Sequence, residues 1–129
     1  MRPPEKRWYS PLLKHPQGTA VFIHEILPDA QFIVEKVDRK PGRAVRHIRF
    51  ELDGKVILRG RSEIDLARTH PDLVDALVKT DAPLGLLIKK YRIHRTRVRA
   101  TTRTREFHFN GDLHAKLFER FYSLPANKK

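Results

Sequence analysis

At 129 residues, with 27 Lys and Arg against 15 Asp and Glu, the chain has the size of one domain, and its formal net charge of +12 favours an anionic partner. It has no cysteine, which excludes disulfides and thiolate metal sites and suits a reducing compartment. No apolar stretch nears the roughly 18 residues of a membrane span, and the start, MRPPEKRWYS, lacks the apolar core of a signal peptide, so a cytoplasmic protein without a membrane anchor is expected.

Residues 1–18 hold Pro3, Pro4, Pro11, Pro16 and Gly18, too many breakers for a long helix, and predict an extended arm from which Leu12 and Leu13 dock. TAVFIHEIL (19–27) and AQFIVEKV (30–37) are rich in β-formers and read as two strands joined by a turn at Pro28 and Asp29. RKPGR (39–43) is the next turn. The clearest strands, Ala44–Leu52 and Lys55–Leu66, flank Asp53 and Gly54, a strong hairpin signal. THPDLVDALVKT (69–80) predicts a helix with Thr69 as N-cap, Pro71 in the first turn, Asp72 in the capping-box place, and Leu73, Val74 and Leu77 on one side. DAPLGLLIKKY (81–91) predicts a shorter helix, capped by Asp81, with Leu84, Leu87, Ile88 and Tyr91 as its apolar stripe.

The period then returns to two. RIHRTRV (92–98), TREFHF (104–109) and LHAKLFERFYSL (113–124) read as strands, with turns at ATTR (100–103) and at Asn110 and Gly111. The expected architecture is one α+β domain over 1–129: an antiparallel sheet of about six strands with two helices inserted between strands.

Two charges break the alternation. In the strand Ala44–Leu52, Arg46 points with Ile48, Phe50 and Leu52; in the last strand Glu119 points with Leu113, Ala115, Leu117 and Phe121. An inward charge is costly unless paired; a lone one marks a strand end or a structural ion pair, and two of opposite sign point to each other or to a ligand. Pro83–Gly85 opens a helix, where first-turn N–H groups are free to bind an acceptor and Gly85 lets a ligand approach. The run Lys89–Arg105 has eight basic residues and no acid, and the spacing of Arg95, Arg97 and Arg99 places three arginines on one strand face. That face is either a nucleic-acid grip or the solvated side of a sheet whose charge steers a small dianion.

VRHIRFELDGKVILRGRSEIDL (45–66), TDAPLG (80–85) and FHFNGDLHAKLFERF (107–121) together resemble the chorismate pyruvate-lyase family, which includes 4-hydroxybenzoate synthases. The resembling features are Arg46 ahead of the Asp53–Gly54 hairpin, Gly60 with Arg61 after it, Pro83–Leu84–Gly85 at a helix start, and Gly111, Glu119 and Phe121 at the end. The resemblance implies a chorismate lyase-like fold and a lyase that eliminates pyruvate from chorismate to leave 4-hydroxybenzoate, with no metal or organic cofactor. It implies that Arg46 pairs with the ring carboxylate, Glu119 accepts the ring hydroxyl, and the backbone at Leu84 and Gly85 completes the carboxylate grip. It further implies that Arg61 holds the enolpyruvyl carboxylate, and that Gly18 and Thr19 line the pocket. Strict alternation nevertheless sets Arg61 outward unless Gly60 marks a bulge. Compared with the family, the N-terminus and the segment between Pro83–Gly85 and the last hairpin are shorter.

Two other classes remain open: a non-catalytic aromatic-acid-binding module of the same fold, and a basic nucleic-acid binder. The seven histidines show no metal-ligand spacing such as H-E-x-x-H, and GRSEI lacks the second glycine of a nucleophile elbow. Either a monomer or a dimer fits the sequence.

Overall fold

The computed structural model describes residues 8–14, 19–79 and 91–125. Its elements in chain order are α1 (Ser10–Lys14), α2 (Thr19–Ile26), β1 (Gln31–Lys40), β2 (Arg43–Leu52), β3 (Lys55–Asp65), α3 (Pro71–Lys79), β4 (Ile93–Ala100), β5 (Thr104–Gly111) and β6 (Ala115–Phe121). The strands form one open antiparallel sheet in the order β1-β2-β3-β6-β5-β4, so the domain is α+β with three short helices among the described residues. None of these helices is long and apolar enough to cross a membrane.

The β2–β3 hairpin forms as its sequence dictates. Asp53 and Gly54 both take positive φ, 52° and 78°, the pair of left-handed residues that a tight two-residue turn requires. Alternation in β2 is also clear: Ala44, Arg46, Ile48, Phe50 and Leu52 are buried and the residues between them are half-buried on the other face. A bulge at Ile57, between the pairs Phe50–Leu58 and Glu51–Val56, turns that side chain into the core as well.

Several expectations are corrected. Residues 19–26 form α2 and not a strand: Phe22, Ile23 and, just past the helix, Leu27 are buried and Ile26 is half-buried, while Val21, His24 and Glu25 are exposed. That is a helical stripe, which outweighs the β-propensity of the individual residues. The expected arm includes a helix, α1, and Trp8, Tyr9 and Leu12 are fully buried; Trp8 donates its indole N–H to the Tyr122 carbonyl at 2.7 Å. Thr69 is not the N-cap of α3. Its hydroxyl exchanges hydrogen bonds with the backbone of His114, and the cap falls to His70, whose Nδ1 accepts the Asp72 N–H at 3.2 Å. Asn110 and Gly111 are the end of β5, paired with His94 and Ile93, so the chain turns after them, and the last strand starts at Ala115. The expected helix at 81–91 lies outside the described residues except for Tyr91.

One face of the sheet is solvated and ion-paired, and the helices cover the other. Beneath α1 and α2 sits a cluster of Trp8, Leu12, Phe22, Ile23, Phe50 and Phe121 with their neighbours; beneath α3, Leu73 and Leu77 meet Ile64, Phe107, Phe109 and Leu113. Both edge strands carry a bulge, at Glu35 in β1 and at Val98 in β4.

Gly111 closes the β5 end under tight constraint. Its φ is 93°, and a Cβ there would lie 2.3 Å from the Arg92 carbonyl oxygen, whereas a Cβ at Gly42, φ 76°, would meet nothing within 4 Å. Gly111→Ala is therefore expected to cost about 2 to 4 kcal/mol, from strain plus displaced backbone, and Gly42→Ala only about 1 kcal/mol. Urea unfolding midpoints check this; equal midpoints for the two variants would contradict it.

Candidate functional site

Between the two apolar clusters the helix-covered face carries a band of polar side chains. Arg46, Ser62, Arg105 and Glu119 are all buried on it, with exposures of 1%, 5%, 2% and 5%. Strand register sets their layout. Ile48, Gly60, Glu119 and Arg105 form one row across β2, β3, β6 and β5; Arg46, Ser62, Leu117 and Phe107 form the next.

Glu119 and Arg105 face each other directly across β6 and β5, and the Arg105 Nε donates to Glu119 Oε1. The rest of the guanidinium is also engaged: Nη1 donates to the Leu12 carbonyl at 2.9 Å and Nη2 to the Thr19 hydroxyl. The Thr19 hydroxyl in turn donates to Glu119 Oε2, so both carboxylate oxygens are held. The Phe107 ring centroid lies 4.6 Å from the Arg105 guanidinium carbon and the Phe121 centroid 5.9 Å. A buried ion pair is tolerable only when its remaining donors and acceptors are met in this way.

Arg46 does lie on the same face as Glu119, as alternation requires, but it is not the residue that pairs with it. The two are separated by β3 and offset by one row of side chains, which puts their Cα atoms roughly 12 Å apart from strand spacing and rise. The Arg46 guanidinium sits 5.7 Å from the Phe32 ring centroid. Between Arg46 and Glu119 the intervening strand places the small residues Gly60 and Ser62 on this face, with Leu58 and Ile64 buried on either side of them. Ile48 leans over Gly60, where a Cβ would stand 2.9 Å from its Cδ1. Gly60 is thus required by packing.

Arg61 is on the opposite face. No bulge occurs at Gly60, which keeps register with Ile48 and Glu119, so Arg61 points outward. Its side chain is 51% exposed, donates to Glu63 at 2.8 Å and lies 5.9 Å from the Phe118 ring. It does not join Arg46 and Glu119. Thr19 does, through its contacts with Glu119 and Arg105 at the start of α2; Gly18, Leu84 and Gly85 lie outside the described residues.

Arg105 was hidden in the basic run. Its signal was present, since period two places it with Phe107 and Phe109, which are buried. The spacing of Arg95, Arg97 and Arg99 does not yield one exposed stripe. The bulge at Val98 splits it: Arg95 and Arg97 face the helices, opposite Phe109 and Phe107, and Arg99 pairs with Glu106 on the other face. Arg97 donates to the Leu13 carbonyl, and the half-buried Arg95 stacks 5.0 Å from Phe107. Burial, and then the charge of Arg105, hold the Arg95 pKa below the ordinary arginine value, with Glu119 opposing. Arg46, Arg95, Arg97 and Arg105 therefore share a face on which Glu119 is the one buried carboxylate among the described residues.

A scan against protein-family models gives no match for the chain, and a comparison with curated proteins finds none. Among the described residues no three His, Asp or Glu side chains converge as a metal site.

Removing one member of the Arg105–Glu119 pair leaves a buried charge, so Arg105→Met is expected to destabilise the fold by about 3 to 5 kcal/mol. Arg105→Met with Glu119→Leu should recover most of that loss, because the second change removes the stranded carboxylate. Denaturant unfolding of the two variants measures this; a double variant less stable than the single one would refute it.

Proposed function

We propose that the chain is a lyase of the chorismate pyruvate-lyase type, with a chorismate lyase-like fold, that eliminates pyruvate from chorismate and leaves 4-hydroxybenzoate. The observation that carries this reading is the burial of Arg46 and Glu119 on one face of the sheet, with the small residues Gly60 and Ser62 on the strand between them and Ile48 packed over Gly60. An arginine at one end and a carboxylate at the other suit a ring bearing a carboxylate opposite a hydroxyl. The excess of arginines on that face suits a substrate with a second carboxylate.

In the reaction the ether bond to the enolpyruvyl group breaks, a ring proton is lost, and the departing enolpyruvate takes up a proton to become pyruvate. Aromatisation supplies the driving force, so the protein's part is to hold the dianion in a reactive pose and to stabilise charge on the leaving group. Arg46 grips the ring carboxylate and Glu119 accepts from the ring hydroxyl. In this reading Arg61, on the far side of the sheet, has no part, and the enolpyruvyl carboxylate falls to an inner-face cation, Arg95, which is half-buried beside Phe107.

A specific observation favours a second reading, a non-catalytic module that binds aromatic acids. Both Glu119 oxygens are already held by Arg105 and Thr19, which suits a static recognition group better than one that exchanges partners during turnover. The nucleic-acid reading loses its main support, because the arginines that were to form its stripe are divided between the two faces.

Incubation of purified protein with chorismate, followed by 4-hydroxybenzoate absorbance, tests the proposal. Product is expected, Arg46→Ala is expected to lower kcat/KM about 100-fold or more, as loss of a charge-assisted pair implies, and Arg61→Ala is expected to leave it unchanged. Calorimetric binding of 4-hydroxybenzoate without turnover would replace the lyase by the binding module. Neither binding nor turnover would overturn both.

A further inference from the structure

The chain's positive charge is spread unevenly, and at one place it gathers without any acid. On the solvated face most arginines are answered: Arg59 donates to both oxygens of Glu35 at 2.8 and 2.9 Å, Arg61 meets Glu63 at 2.8 Å, and Arg49 reaches Glu51 and Glu35. The exception is the end of the sheet where β3 starts, the β4–β5 connection turns and β6 finishes. A cavity of about 550 Å³ opens there, and Lys55, Arg103 and Arg120 line it together with Thr102, Tyr122 and Ser123. Among the described residues no Asp or Glu lines it, and none forms an ion pair with these three cations.

The cavity wall is built and not merely crowded. The Arg103 carbonyl accepts the Phe121 N–H at 2.8 Å, which fastens the β4–β5 connection to β6. Within that connection Thr101 Oγ1 accepts the N–H groups of Arg103 and Thr104 at 3.3 and 3.0 Å. Tyr122 is held from its own backbone, which donates to the Ile57 carbonyl at 2.9 Å, and its ring centroid lies 5.8 Å from the Arg120 guanidinium carbon. Lys55, at the β2–β3 hairpin, points its ammonium toward the Leu124 carbonyl at 3.5 Å.

We infer that this cavity is a binding site for a small phosphate monoester, with the phosphate held by Lys55, Arg103 and Arg120 and the organic group against Tyr122. Two guanidinium forks and one ammonium match a dianion with three acceptor oxygens, and the Thr102 and Ser123 hydroxyls add neutral donors. The volume exceeds what a bare phosphate needs and lies within the range of small-ligand sites. A polymer fits less well. The cations that would follow a phosphate backbone onward across the solvated face, Arg59 and Arg61, are already held by Glu35 and Glu63.

The site lies at the end of the sheet, where it shares Tyr9 and Phe121 with the apolar cluster under α1 and α2, and it does not depend on the proposed lyase reading. Its test is titration calorimetry at low ionic strength with inorganic phosphate, adenosine monophosphate and an oligothymidine bearing a 5′-hydroxyl. Phosphate is expected to bind, and adenosine monophosphate to bind more tightly. Arg103→Gln and Arg120→Gln are each expected to weaken both by about tenfold or more, as loss of a charge-assisted bidentate contact implies. Both residues are exposed, so circular dichroism should report an unchanged fold, and Lys36→Gln, in a surface pair with Asp38, serves as a control with unchanged binding. Absence of phosphate binding, or binding untouched by Arg103→Gln and Arg120→Gln, would overturn the inference. So would tight binding of the oligothymidine that phosphate fails to compete away.

Discussion

The buried Arg105–Glu119 pair is the constraint around which the rest of the molecule is arranged. It joins neighbouring strands, but its remaining hydrogen bonds reach outward to the Leu12 carbonyl and the Thr19 hydroxyl, and so fasten both N-terminal helical segments to the sheet. A continuous apolar core would have needed no such fastening. Here the core is divided, with one cluster under α1 and α2 and another under α3, and polar side chains between them. The division matters for chemistry, since a charged group can be held dry and aimed only where the packing around it is fixed from both sides.

Much of this was legible in the chain itself. The Asp53–Gly54 turn and the clean alternation of 44–52 define the central hairpin, and the same alternation singles out Arg46 and Glu119 as inward charges. What alternation could not supply was partnership. Arg46 and Glu119 looked like natural partners because each was the one inward charge in its strand, yet partnership is decided by which strands lie side by side. With β3 between β2 and β6, the neighbour of Glu119 on the other side is β5, and that strand brings Arg105.

The misreadings share a physical origin. Residue preference makes TAVFIHEIL a strand, and tertiary packing overrides it: a stripe at 22, 23, 26 and 27 buries more apolar surface against the sheet than either face of a strand would. The basic run is continuous in charge, although its members answer to three environments. Arg105 is in the core, Arg95 is half-buried beside Phe107 while Arg97 reaches the Leu13 carbonyl from an exposed position, and Arg99 and Arg103 face solvent. The extra residue at Val98 that separates Arg97 from Arg99 leaves no trace in composition. A net charge of +12 therefore describes the molecule's surroundings less well than the positions of its carboxylates do, because those decide which arginines are answered and which are not.

The paired irregularities of the peripheral strands have a consequence for growth. β1 is interrupted at Glu35 and β4 at Val98, so on each side the regular ladder of donors and acceptors breaks partway along. A strand arriving from another molecule would have to break register at the same point, and on the β4 side it would meet His94, Arg97 and Arg99 as well. The width of the sheet is thereby set by the chain that makes it, and templated addition of further strands is discouraged at both margins.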